Sequence, residues 1–130
     1  MQDSIFTKII KGEIPSYKIY EDKDNFAFLD IHPVREGHVL VVPKKQVEAW
    51  TDLDEQTYIS LMQAAKKVAV HLKQVLNSPY IGLRIVGVDV PHVHIHLIPF
   101  STIEEFNKPQ DMSGEPDHDA LAKMAARVKL

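Results

Sequence analysis

The sequence predicts an α+β domain in which a sheet of short strands is covered by one long helix. Two observations carry this prediction. Five apolar or alternating runs bounded by turn residues, at 17–20, 26–31, 37–43, 80–86 and 92–98, read as strands. Between the third and fourth, Tyr58, Leu61, Met62, Ala65, Val68, Ala69, Leu72, Val75 and Leu76 recur every three or four residues. A stripe of that kind needs an apolar surface to lie on, and packing on the sheet is a more economical use of it than docking a partner.

The elements follow in order along the chain. Asp3 or Ser4 caps a short helix that places Ile5, Phe6, Ile9 and Ile10 on one side, and Gly12 and Pro15 end it. Residues 17–20 and 26–31 form a hairpin across the polar turn at 21–25, and Pro33 stops the second strand. Residues 37–43 are apolar on both faces beyond His38, which marks a central strand. Thr51 or Asp52 then caps the long helix, and Asn77, Ser78 and Pro79 break it. The strands at 80–86 and 92–98 are joined so closely that they should pair antiparallel. Residues 101–116 are polar and irregular, and Leu121, Met124, Ala125 and Val128 trace a short last helix.

Composition bounds the function. At 130 residues, 45% hydrophobic and 25% charged, the chain suits one globular domain. It contains no cysteine, which removes disulfides and zinc–thiolate sites. A net charge of −3 argues against a nucleic-acid-binding surface. Arg35, Lys44 and Lys45 are better read as solvated surface charges than as an anion site. With no apolar run of about 20 residues and no basic leader, the expectation is a cytoplasmic protein with no membrane contact.

The chemistry concentrates in His92-Val93-His94-Ile95-His96-Leu97-Ile98. On a strand, alternate side chains share a face, so the three histidines form one row about 6 to 7 Å apart while Val93, Ile95 and Leu97 face a core. Each neutral imidazole needs both a donor and an acceptor partner, and adjacent imidazolium ions repel. A pocket is therefore a better reading than packing. His71 and His118 stand alone and read as structural residues. For the row the residues leave two possibilities: a metal site, or imidazoles that handle an anion.

This heptad resembles the signature of the histidine triad (HIT) superfamily. Ser4-Ile5-Phe6-Thr7-Lys8-Ile9-Ile10 with Glu13-Ile14-Pro15, then Phe28-Leu29-Asp30-Ile31-His32-Pro33, then Gly37-His38-Val39-Leu40-Val41-Val42-Pro43-Lys44, are similar to its HINT-like nucleotide-binding branch, in the same order. The resemblance covers residues 3–100 and implies a HIT-like fold: a mostly antiparallel five-stranded sheet with one long covering helix and short N- and C-terminal helices. Residues 1–100 would be the HIT domain, and 101–130 an extension packed on it or on a dimer partner. A homodimer is implied.

The implied activity is hydrolysis or transfer at the α-phosphate of a purine nucleotide, breaking a phosphoramidate or phosphoanhydride bond through a nucleotidyl-histidine intermediate. His94 would be the nucleophile. His92 and His38 are candidates to orient it, and His96 to meet phosphate oxygens or the leaving group. Asp30 matches the position that accepts from ribose hydroxyls. Phe6, Ile9, Phe28, Ile31 and Leu40 match the positions around the base. No metal or other cofactor is implied.

Departures from the family pattern fall near the phosphate. Val88 and Asp89 stand where relatives carry residues that contact it, so Asp89 is a nucleotide-binding position with a charge of the wrong sign. Ser4 and Thr7 replace two cysteines, and Gln46 a histidine, of a structural zinc site in some bacterial relatives, which should therefore be absent. The alternatives are a dinucleoside polyphosphate hydrolase, a nucleotide-binding module without catalysis, and a metal-dependent cupin-like protein. The long helix and the lack of a suitably spaced glutamate count against the last.

Overall fold

The structure is a computed structural model in which residues 2–130 are described. Its strands are β1 (Lys18–Glu21), β2 (Asn25–Leu29), β3 (Val39–Pro43), β4 (Tyr80–Ile85) and β5 (Ile95–Phe100), and its helices α1 (Ile5–Ile10), α2 (Glu55–Leu76), α3 (Ile103–Asn107) and α4 (His118–Val128). The strands form one sheet in the order β1-β2-β3-β5-β4, and every neighbouring pair is antiparallel. The fold is α+β.

Alternation along the central strands sorts side chains between two faces. Ala27 and Leu29 of β2, Val39 and Val41 of β3, and Ile95 and Leu97 of β5 join Leu61, Ala65, Val68 and Leu72 of α2 in the main core. Burying each large aliphatic side chain there contributes about 2 kcal/mol. Leu121 and Val128 of α4 enter the same core, so the tail helix is part of it. The opposite face carries Phe26, Phe28, Leu40 and Val42, which pack with Phe6 of α1. His96 is on this second face, one residue out of step with the core.

Four expectations need correction. The long helix starts at Glu55, with Asp54 as its cap: the Asp54 carboxylate accepts from Thr57 N–H at 3.2 Å. Thr51 and Asp52 instead belong to a 3-10 turn, because Leu53 is extended and interrupts any helix begun earlier. The irregular tail contains α3, fixed by a capping box between Thr102 and Glu105. The second strand ends at Leu29, so Asp30 and Ile31 follow it rather than belong to it.

The fourth correction concerns the histidines. The strand begins at Ile95, and only His96 belongs to it. Val93 N–H bonds the carbonyl of Val47 at 2.8 Å and the His92 ring takes the carbonyl of Pro43, so the backbone ahead of Ile95 does not extend the ladder. Among the described residues, no helix is long and apolar enough to cross a membrane.

Candidate active site

Two turns and one short helix bring the site together on the second face of the sheet. Ser4 caps α1 by accepting from Thr7 N–H at 3.0 Å, and the helix then sets Phe6 edge-on against His94, with ring centroids 5.0 Å apart. Gly37 adopts φ +85°, which a side chain would resist, and the turn it allows leads through His38 into β3. Asp30 N–H bonds the His38 carbonyl at 3.0 Å, tying the end of β2 to the start of β3.

A groove enclosing about 860 Å³, part of it open to solvent, runs across this face. Phe6, Ile9, Phe28, Ile31 and Leu40 line its apolar end, and Asp30, Asp89, His94 and His96 its polar side. Phe6 and Phe28 are tilted against each other with centroids 5.4 Å apart. Ile31 remains 43% exposed at the rim. His38 and His92 do not reach the groove: both are fully buried behind it. The expected single row is therefore a pair, His94 and His96, with ring centroids 5.1 Å apart.

The hydrogen bonds fix where the ring protons sit. His94 Nδ1 lies 2.7 Å from the His92 carbonyl oxygen, which can only accept. The proton is therefore on Nδ1, and in the neutral ring Nε2 carries the lone pair; this nitrogen is buried, makes no hydrogen bond and has Asp89 Oδ1 as its neighbour at 3.3 Å. His92 Nε2 donates to the Pro43 carbonyl at 2.7 Å, so its Nδ1 accepts, and Ser4 Oγ donates to it at 2.7 Å. Val34 N–H donates to His38 Nδ1 at 3.1 Å. His38 must then donate from Nε2 to His96 Nδ1, 2.9 Å away. That leaves His96 with its proton on Nε2.

Burial favours the neutral ring at His38, His92 and His96. Desolvation, helped by the charge of Arg84, pushes His38 down to about 4. His96 is also pushed down to about 4 by burial, reinforced by His38 and His94. His92 is lowered, again chiefly by burial. The groove thus presents an imidazole lone pair on His94 beside an N–H donor on His96. Asp89, 60% exposed, places Oδ1 3.3 Å from His94 Nε2.

Asp30, His38 and His96 each offer a metal-ligating atom, all within 4.8 Å of one another. The 2.9 Å between the two nitrogens is a hydrogen bond with a proton in it. Two nitrogens on a tetrahedral zinc, bonded at about 2.0–2.1 Å, stand roughly 3.3 Å apart. Where some relatives place zinc, hydrogen bonds join the replacements: Gln46 Oε1 accepts from Thr7 Oγ1 at 2.7 Å and from Ser4 N–H at 2.8 Å. Arg35, Lys44 and Lys45 are engaged separately, with Glu105, Glu21 and Asp54.

The tail supplies residues that the sequence did not announce. Gln110 and Met112 line the groove, and Gln110 bonds Asp30. A lone amide in a polar, aperiodic stretch carries no signal that could have singled it out. His32 and Val90 also line the groove, without a role in the expectations above.

Three histidines at alternate positions, His92, His94 and His96, with His38 bonded to the last of them, mark a histidine-triad protein. The chain belongs to the HIT family: the HIT domain family model matches residues 11–102. The chain is 38% identical over 129 residues to adenosine 5′-monophosphoramidase HNT1 of Saccharomyces cerevisiae, covering 92% of this chain and 77% of that one. An uncharacterized HIT-like protein of Borreliella burgdorferi is 42% identical over 106 residues, 76% of each chain. Among solved structures, a HIT-like protein involved in cell-cycle regulation from Bartonella henselae superposes with a TM-score of 0.82 at 30% identity, covering 98% of this chain and 95% of that one.

Proposed function

We propose that the groove binds a purine nucleoside 5′-phosphoramidate and that His94 cleaves it to the nucleoside monophosphate. The observation that carries this reading is the unpartnered Nε2 of His94, whose tautomer a backbone carbonyl dictates. Attack forms the Nε2–P bond as the P–N bond breaks, and the proton retained on Nδ1 leaves a cationic imidazole on phosphorus. The departing amine takes its proton from solvent at the open side of the groove. Water then attacks phosphorus, the electron pair of the Nε2–P bond returns to the ring, and the proton released from water passes to solvent.

His96 serves as a hydrogen-bond donor to a phosphoryl oxygen rather than as a proton reservoir. With its pKa near 4 it holds no spare proton at neutral pH, and its single N–H is aimed by His38. Phe6, Ile9, Phe28, Ile31 and Leu40 take the base, and Asp30 the ribose hydroxyls. His92 and His38 act from behind, through the tautomers they impose. Among the described residues no lysine or arginine lines the groove, which favours a singly charged phosphoramidate over a dinucleoside polyphosphate. The named activity of the yeast relative points the same way. The unpaired outer edge of β4 exposes Tyr80 and Leu83, with Val86 just beyond, and suits pairing with a second copy of the chain.

The test is release of AMP from an adenosine phosphoramidate with a good leaving group, in the presence of a chelator. Wild type should turn over, and His94→Ala and His94→Asn should lose at least about a thousandfold in kcat. Turnover retained in both variants, or none in wild type that still binds AMP, overturns the reading.

A further inference from the structure

The tail beyond the family-matched region returns to the nucleoside end of the groove. Gln110 donates from Nε2 to Asp30 Oδ2 and to the carbonyl oxygen of His32, both at 2.8 Å, so both of its N–H groups are committed. Asp30 Oδ1 accepts from His32 N–H at 2.8 Å. The carboxylate is therefore held at each oxygen, while each retains a second lone-pair site. Met112, two residues further on, lines the same groove.

We propose that Gln110 is a positioning residue that makes this groove select ribonucleotides. A carboxylate on a single side-chain bond rotates freely unless its oxygens are pinned, and a rotating acceptor meets a pair of adjacent hydroxyls only part of the time. His32 N–H holds one oxygen, and Gln110 fixes the second, so that the two remaining lone pairs are presented together, as a cis-diol requires. The backbone end of the clamp, the His32 carbonyl, cannot swing with the side chain. This inference rests on the nucleotide reading above and extends it, by assigning sugar selection to a residue of the tail.

Calorimetric titration of the full chain with AMP and with 2′-deoxy-AMP tests it, alongside steady-state kinetics on the adenosine phosphoramidate. Wild type should prefer AMP by on the order of tenfold, the contribution of one hydrogen bond to a charged group. In Gln110→Ala the preference should fall to within about twofold, with AMP bound several-fold more weakly and the kinetic loss falling on KM more than on kcat. Gln110→Glu keeps the shape but replaces the donor with an acceptor, and it should lose the preference at neutral pH as well. Unchanged discrimination in both variants overturns the proposal. Tighter AMP binding in Gln110→Ala also overturns it, because the tail would then be a competitor. If wild type binds both nucleotides equally, this inference alone fails; if it binds neither, the nucleotide reading fails with it.

Discussion

Lowering the pH from 6.5 to 5 should destabilise the folded chain by about 1.5 kcal/mol for each of His38 and His96. Both rings are buried, and burial pushes both from 6.5 down to about 4. The unfolded chain therefore binds more protons than the folded one between those values. Stability falls as the pH drops through this window and is restored as it rises, with a limiting slope of about 1.4 kcal/mol per pH unit per histidine. A proton on His38 Nδ1 would displace the Val34 N–H, and one on His96 Nδ1 would face the His38 N–H, so the two rings should titrate together. Urea midpoints at pH 7, 6 and 5 measure the effect. His96→Asn should be less stable at pH 7 but lose about a third to a half of the slope, the remainder coming from His38 and His92. Asp54, held down to about 2 by Thr57 and Lys45, titrates below the window and does not obscure it. A wild-type slope under about 0.5 kcal/mol per unit between pH 6 and 5, or an equal slope in the variant, would refute the reasoning.

Two further outcomes follow from the geometry. Ser4→Ala removes a helix cap and strands a buried imidazole nitrogen, so it should destabilise by about 2–3 kcal/mol in denaturant unfolding, whereas Thr7→Ser, which keeps the hydroxyl, should cost less than about 1 kcal/mol. Asp89→Asn removes a carboxylate 3.3 Å from His94 Nε2, the nitrogen that meets the phosphate in the proposed reaction. With the two charges about 5 Å apart in water, AMP should bind roughly fourfold more tightly, read from the dissociation constant; no change would mean that the loop turns the carboxylate away.

Much of this arrangement could be read from residue order, and the exceptions have physical causes. The two faces of the sheet follow from alternation: Val39, Val41, Ile95 and Leu97 lie under α2 as their spacing requires. The start of α2 was ambiguous because Thr51, Asp52 and Asp54 are all capping residues, and only the extended backbone of Leu53 chooses between them. Alternate histidines suggested a continuous strand, yet the β3–β5 ladder starts at Ile95, since the Pro43 carbonyl that might prolong the pairing is taken by the His92 ring. Periodicity reports which way a side chain points when the ladder continues; it says nothing about a ring that bonds the backbone instead. Gln110 was invisible for a related reason: its partners are 80 and 78 residues away in sequence.

The proton positions of His94, His92 and His38 are each anchored by a peptide group: the carbonyls of His92 and Pro43 and the N–H of Val34. A peptide carbonyl or N–H keeps its polarity whichever side chain its residue bears. Substitutions around the groove leave these anchors in place, so the tautomer of His94 does not depend on the side chains that line it. The tautomers are written in the main chain, whereas the lining of the groove, Asp89 and Gln110 included, is a matter of side chains.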